Sequence, residues 1–198
     1  MDIVSRVQGI LLKPKDEWVK IKEEVMPHTQ LLTSYVLILA AIPAIAQFIG
    51  FGLIGFKVPF LGWYRYGVGG GLLRGILVYV FSVAYAYIFA IIVNALAPTF
   101  SSEKNMDNAM KLAAYCLTPY WVASVLYIVP FLGILVMLAS LYGLYILYLG
   151  FQTPLMNTPK EKVVSYFVIS IVVVIVIMVV ITIVLGAIFA VGGVYRAF

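Results

Sequence analysis

Apolar residues along this chain gather into long runs separated by short polar breaks. A bilayer core takes about 20 apolar residues in helix, at 1.5 Å rise each. Residues 31–56 supply the first run, with Pro43 and Gln47 near its middle, and residues 69–97 the second. A third element starts near Met106, and residues 112–149 run for 38 positions without a charge, too long for one helix and right for two. The break is expected at Val129-Pro130-Phe131-Leu132-Gly133, where proline stops a helix and glycine permits a sharp turn. The last run, 163–191, slightly exceeds a bilayer and is expected to tilt. Its valines and isoleucines show no period-two alternation, so they do not argue for a barrel. The pattern predicts an all-α, polytopic membrane bundle over residues 29–198, with five transmembrane helices at about 31–56, 69–97, 107–129, 132–151 and 162–191.

Before the first run, residues 1–28 alternate differently. Ile3, Val7, Ile10 and Leu11 share one helical face, and after Pro14 so do Trp18, Ile21 and Val25. These positions predict two short amphipathic helices in the headgroup region, with Trp18 at the interface. They either sense lipid or curvature, or form a cover over the ends of the bundle. Basic and acidic residues nearly cancel there, which argues against a polybasic lipid switch. Between the first two runs, Trp63, Tyr64 and Tyr66 suit an aromatic belt, the glycines at 67 and 69–71 suit a bending loop, and Arg74 is expected to snorkel outward. Gly71 and Gly75, Ala86 and Ala90, and Gly186 and Ala190 place small residues four apart, which allows helices to approach closely.

Composition agrees with the pattern: 64% of the 198 residues are hydrophobic and 11% charged, far from a soluble domain. The net charge of +5 is dispersed around the runs and reads as a topology signal, not a nucleic-acid surface. With the N-terminus cytoplasmic, nine of the 13 basic residues and all eight acidic ones fall on the cytoplasmic side, so the C-terminus is expected outside. The first run is expected to act as an uncleaved signal, since residues 1–28 lack a short apolar core. The lone Cys116, inside an apolar run, offers neither a disulfide nor a cysteine metal site.

Catalysis needs ionisable or nucleophilic groups that converge. The one histidine, His28, stands at the edge of the first run, and no zinc-protease spacing, nucleophile elbow or pair of intramembrane aspartates occurs. No catalytic, cofactor-binding or metal-ligating residue is therefore assigned, and no cofactor. Polar residues at membrane depth are mild: Gln47, Asn94, Ser124, Ser140, Thr182 and many tyrosines, including Tyr142, Tyr145 and Tyr148 at i, i+3 and i+6 and Tyr79, Tyr85 and Tyr87 in the second run. These either hydrogen-bond structurally or line a ligand groove. Asn94, close to Pro98, reads as a helix-end partner. Asn105 is an expected N-cap, with Asp107 at the positive end of the helix dipole and Lys111 four residues on for an ion pair.

The stretch Ala114-Tyr115-Cys116-Leu117-Thr118-Pro119-Tyr120-Trp121 resembles the third helix of the Yip (Rab/Ypt-interacting protein) membrane family in its short prokaryotic form. The tight hairpin after it, the run from Leu144 to Phe151 followed by Pro154, Thr158 and Pro159, and the N-terminal Gly9, Pro14 and Trp18 extend the resemblance over most of the chain. It implies a five-helix integral membrane protein with a cytoplasmic N-terminus, and it singles out Tyr115, Pro119 and Tyr120. Eukaryotic members bind Rab GTPases and other Yip proteins in vesicle traffic. This chain has about 28 residues before its first run and lacks their Asp-Leu-Tyr-Gly-Pro stretch, so the resemblance does not carry Rab-type GTPase binding with it. The expected function is a non-enzymatic scaffold or adaptor in the cell membrane, working through lipids, copies of itself or other membrane proteins, with no nucleic-acid partner. The alternative is a small-solute transporter or channel around a polar cavity lined by Gln47, Asn94 and tyrosines. A lipid-modifying enzyme ranks third, with His28 as its one available base.

Overall fold

In the computed structural model, which describes residues 2–58, 62–191 and 196–197, the chain is overwhelmingly helical. Asp2 opens α1 (Ile3–Leu12) by accepting from the backbone N–H groups of Val4 and Ser5, both at 3.2 Å. Pro14, whose missing N–H costs nothing in a first turn, opens α2 (Pro14–Glu23) directly behind it. Arg6 then ties the two together, reaching Glu17 at 2.7 Å and Glu24 at 2.6 Å.

The first long rod runs from His28 to Ile54 and is built in pieces. Helix α3 (His28–Leu31) passes through a π-helical turn at Leu32–Val36 into α4 (Leu37–Gln47), and a second π-helical stretch, Phe48–Ile54, completes it. The first widening has a local cause. Thr33 Oγ1 donates to Thr29 O (3.1 Å) and Ser34 Oγ to Gln30 O (2.6 Å), competing for carbonyls that a regular helix reserves for its own amides. The rod stops at Gly55, whose φ of 89° suits glycine.

The next segment departs from the expected loop. Strand β1 (Phe56–Val58) pairs antiparallel with β2 (Gly62–Arg65), and β3 (Arg196–Ala197) pairs with β2's other edge. Phe56, Val58, Trp63 and Tyr64 are β-formers on either side of Pro59, so the hairpin signal was local, although the surrounding apolar runs obscured it. Helix α5 (Gly67–Leu96) follows, with a 3₁₀ turn at Ala97–Phe100 closing it around Pro98. Helix α6 (Met106–Ala123) leads through a 3₁₀ turn, a break at Val129 and a short turn at Pro130–Leu132 into α7 (Gly133–Gln152), and α8 (Lys160–Val191) ends the bundle.

Four stretches among the described residues are long and apolar enough to cross a membrane: His28–Ile54, Gly67–Phe100, Pro130–Gln152 and Lys160–Val184. The expected third span, α6, does not qualify by that measure. It has 18 residues, and its first turns carry Asp107, Asn108 and Lys111. It is nevertheless the centre of the bundle, with Ala109–Cys116 an unbroken buried stretch packed between α5 and α7.

Two glycine contacts set how closely the helices approach. Where the rod's end crosses α5, a Cβ added at Gly71 would lie 2.5 Å from the Cα of Gly52. Gly143 on α7 faces the carbonyl of Cys116 with no room for a side chain. We predict that Gly71→Ala lowers stability in detergent by about 1–3 kcal/mol through overpacking, whereas Gly69→Ala, whose Cβ would meet open space, causes no loss. Thermal unfolding of the two variants checks the contrast.

Candidate functional site

Helices α1 and α2 do not lie beside the bundle but close one of its ends. Trp18 and Ile21, on one face of α2, and Ile10 on α1 are fully buried. Trp18 donates its indole N–H to the carbonyl of Ile146 on α7 at 3.0 Å and meets Tyr115 edge-on at 5.9 Å. A buried indole N–H left unpaired would be costly, so this bond also orients the ring. Tyr142 donates to Leu11 O at 2.9 Å, tying the end of α1 to α7. Arg6, besides its two carboxylates, places its guanidinium 5.6 Å over the ring of Tyr115.

The residues at the foot of α6 complete the closure. Asn105 caps the helix by accepting from Asn108 N at 3.0 Å. The expected Asp107–Lys111 pair is replaced by two longer-range attachments. Asp107 Oδ1 accepts from the backbone N–H of His28 at 2.7 Å and lies 2.7 Å from its Nδ1. Lys111 is buried, and its ammonium donates to Ile21 O (3.1 Å), Glu24 O (2.5 Å) and Asn108 Oδ1 (3.3 Å). A cation on the carbonyls ending α2 satisfies groups the helix itself cannot.

Above this layer Tyr35 and Thr118 share a hydrogen bond of 2.8 Å, both fully buried. Pro119 is buried beside Thr118 in α6, where it removes one backbone donor from the helix.

Toward the β-hairpin end the packing opens into a cavity of about 530 Å³ between α5, α6, α7 and α8. On α5 its wall is Arg74, Val78, Phe81, Ser82, Tyr85 and Phe89, a single helical face. Gln47, Tyr66, Tyr120, Trp121 and Ser140 add polar atoms to a largely apolar lining. Arg74 is not directed outward as expected: its guanidinium donates to Gln47 Oε1 at 2.8 Å and sits 4.7 Å over Phe51. Trp121 donates to Ser82 Oγ at 2.8 Å across the lower wall. Met137 and Leu141 on α7, 54% and 56% exposed, form a rim facing Thr182 and Gly186 of α8, so the cavity opens sideways.

Of the residues singled out from sequence, Trp18, Tyr115, Asp107 and Lys111 therefore meet in the closed end, Gln47 and Tyr120 meet in the cavity, and Pro119 lies between them. Asn94 joins neither. It is half-buried on α5, its side-chain oxygen without a hydrogen-bond partner among the described residues. Arg6, Ser82 and Trp121 were not read as site residues from sequence, and Arg74 was read only as a snorkelling side chain. For the cavity the signal was available, since Arg74 shares its face with Ser82 and Tyr85 at i+8 and i+11.

We predict that Trp18→Ala loosens the closure selectively. The loss should be about 3–5 kcal/mol, and amide exchange in α1 and α2 should accelerate far more than in α5.

Comparison with known proteins agrees with this architecture. The chain is similar to the inner membrane protein YohC of Escherichia coli strain K12, with 26% identity over 171 residues, 82% of this chain and 85% of the relative. The YohC of E. coli O6:H1 matches to the same degree, at 26% over 171 residues. No solved structure shows a significant match. The Yip1 domain family matches residues 9–194, nearly the whole chain, and this integral membrane protein belongs to that family.

Proposed function

We propose that the chain is a non-enzymatic membrane scaffold of the Yip type, working through helix–helix and lipid contacts in the cell membrane. In this reading α6 with its 3₁₀ extension is a fifth span, shielded by its neighbours so that it needs less hydrophobicity than they do. The N-terminus is then cytoplasmic and the C-terminus extracytoplasmic, by the lysine and arginine asymmetry. Helices α1 and α2 lie at the cytoplasmic interface as the cover of the bundle. The described polar groups at membrane depth include Gln47, Arg74, Ser82, Asn94, Thr118, Ser124, Ser140, Ser170 and Thr182, and none of these is an acid or a histidine that could drive catalysis or proton coupling.

The observation that carries the scaffold reading is the outward face of α8. Val163, Tyr166 and Ser170 are buried against the bundle, while Val168, Val172, Ile175, Val176 and Val179 are exposed along the helix. Such a face, joined to the rest near one end, suits a partner helix or a second copy of this chain. Single cysteines placed at Val172 and Val176 in a Cys116→Ala background should give crosslinked species in native membranes, in higher yield than cysteines at Ile76 or Val80 on α5. Monomer alone at every position would contradict the scaffold. Orientation is checked separately: in intact cells an impermeant thiol reagent should reach a cysteine at Lys57 and spare one at Lys160, and the reverse labelling would invert the topology.

The cavity favours a second reading, a small-solute transporter, with Gln47 and tyrosines on its wall. A transport path would have to open the layer of Tyr35, Thr118, Tyr115 and Trp18, all fully buried. Solute flux through reconstituted protein would replace the scaffold reading with this one.

A further inference from the structure

The cavity has a shape and polarity that its role in packing does not require. Along α5 it reaches from Arg74 to Phe89, fifteen residues, or about 22 Å at the helical rise. One leaflet of a ~30 Å hydrocarbon core is about 15 Å deep, so the cavity is long enough for one lipid tail. Its volume of about 530 Å³ falls within the range of small-molecule sites, roughly 300–1,000 Å³.

The charge in the described lining is confined to one end. Apolar and aromatic side chains such as Phe81, Tyr85, Phe89 and Leu144 line its length, whereas the guanidinium, oriented by Gln47, stands near the end closest to the β-hairpin. Helix α5 has 30 residues and is about 45 Å long, some 15 Å longer than the hydrocarbon core. Arg74, seven residues from its start, is therefore about 10 Å in, near the hydrocarbon boundary. A positive charge at the boundary with a deep apolar slot below it matches an anionic headgroup with its tail. The exposed rim of Met137 and Leu141 on α7, across from Thr182 and Gly186 of α8, gives access from the bilayer.

We propose that this cavity binds one acyl chain of an anionic phospholipid from the leaflet on the β-hairpin side, its headgroup held at Arg74. The lipid would fill the space between α8 and the other helices and so set how α8 is held.

The test is photolabelling of the full chain in phosphatidylcholine vesicles containing a trace of phosphatidylglycerol with a diazirine midway along one chain, followed by peptide mapping. Label should concentrate on cavity positions such as Ser82, Tyr85 and Leu144, well above the outward positions Ile76, Val80 and Leu138 of the same helices. The same diazirine on phosphatidylcholine should label the cavity about fivefold less, as expected for one basic residue acting on an anionic headgroup. Leu141→Trp, which fills the rim without touching the closed end, should abolish cavity labelling. Arg74→Gln should erase the headgroup preference. Uniform labelling around the helices, or equal cavity labelling by both probes in the unaltered protein, would overturn the proposal, and neither result depends on a variant folding.

Discussion

A lysine buried at the foot of the central helix dictates much of this architecture. An ammonium group removed from water must recover its hydrogen bonds inside the protein. Lys111 recovers them from the carbonyls of Ile21 and Glu24 at the end of α2 and from Asn108 in its own helix. The cover and the bundle are thus bound by mutual need: α2 ends with carbonyls that its own helix leaves unpaired, and α6 carries a charge that those carbonyls hold. Trp18 reinforces the seam through Ile146 and Arg6 through its guanidinium over Tyr115, while the His28–Asp107 contact ties the first rod to the same central helix. Displacing α1 and α2 would strip the Lys111 ammonium of its two carbonyls and break the indole bond to Ile146 together.

That seam divides the molecule into unlike halves. At the closed end large side chains are fully buried, with Trp18, Tyr35 and Tyr115 filling the space between helices. At the hairpin end the helices are held by backbone approach at Gly52 and Gly71, and the space between α5, α7 and α8 stays open. One half has the rigidity of a packed core, and the other has room for something the chain does not itself supply. The proposed scaffold, holding a lipid or a partner helix against α8, would need both properties.

The four long apolar helices were legible because hydropathy over about 20 residues is a strong signal, and Pro130 marked the turn between α6 and α7. The small sheet was not, since three- and four-residue strands between long apolar runs leave too few positions to establish a period. The π-helical turn at Leu32–Val36 depends on Thr33 and Ser34 bonding backward, a choice that propensity does not reveal. Lys111 illustrates the deeper limit. Its spacing from Asp107 satisfied the local rule for an ion pair, yet partners about ninety residues away in sequence were better placed, because burial makes a full shell of acceptors more valuable than one nearby charge. Asn94 and Arg74 show the same limit at membrane depth, where the face of a helix, not the polarity of a residue, decides whether it reaches the cavity.

If Lys111 and Trp18 make the N-terminal helices part of the bundle's core, their order must not depend on the lipid around them. Hydrogen–deuterium exchange of the reconstituted protein, compared between neutral vesicles and vesicles rich in anionic lipid, tests this directly. The account predicts that α2 is protected to the same degree as the first turns of α6 in both membranes. Rapid exchange in neutral vesicles with protection appearing only on anionic lipid would contradict it, and would make residues 3–23 a lipid-sensing arm.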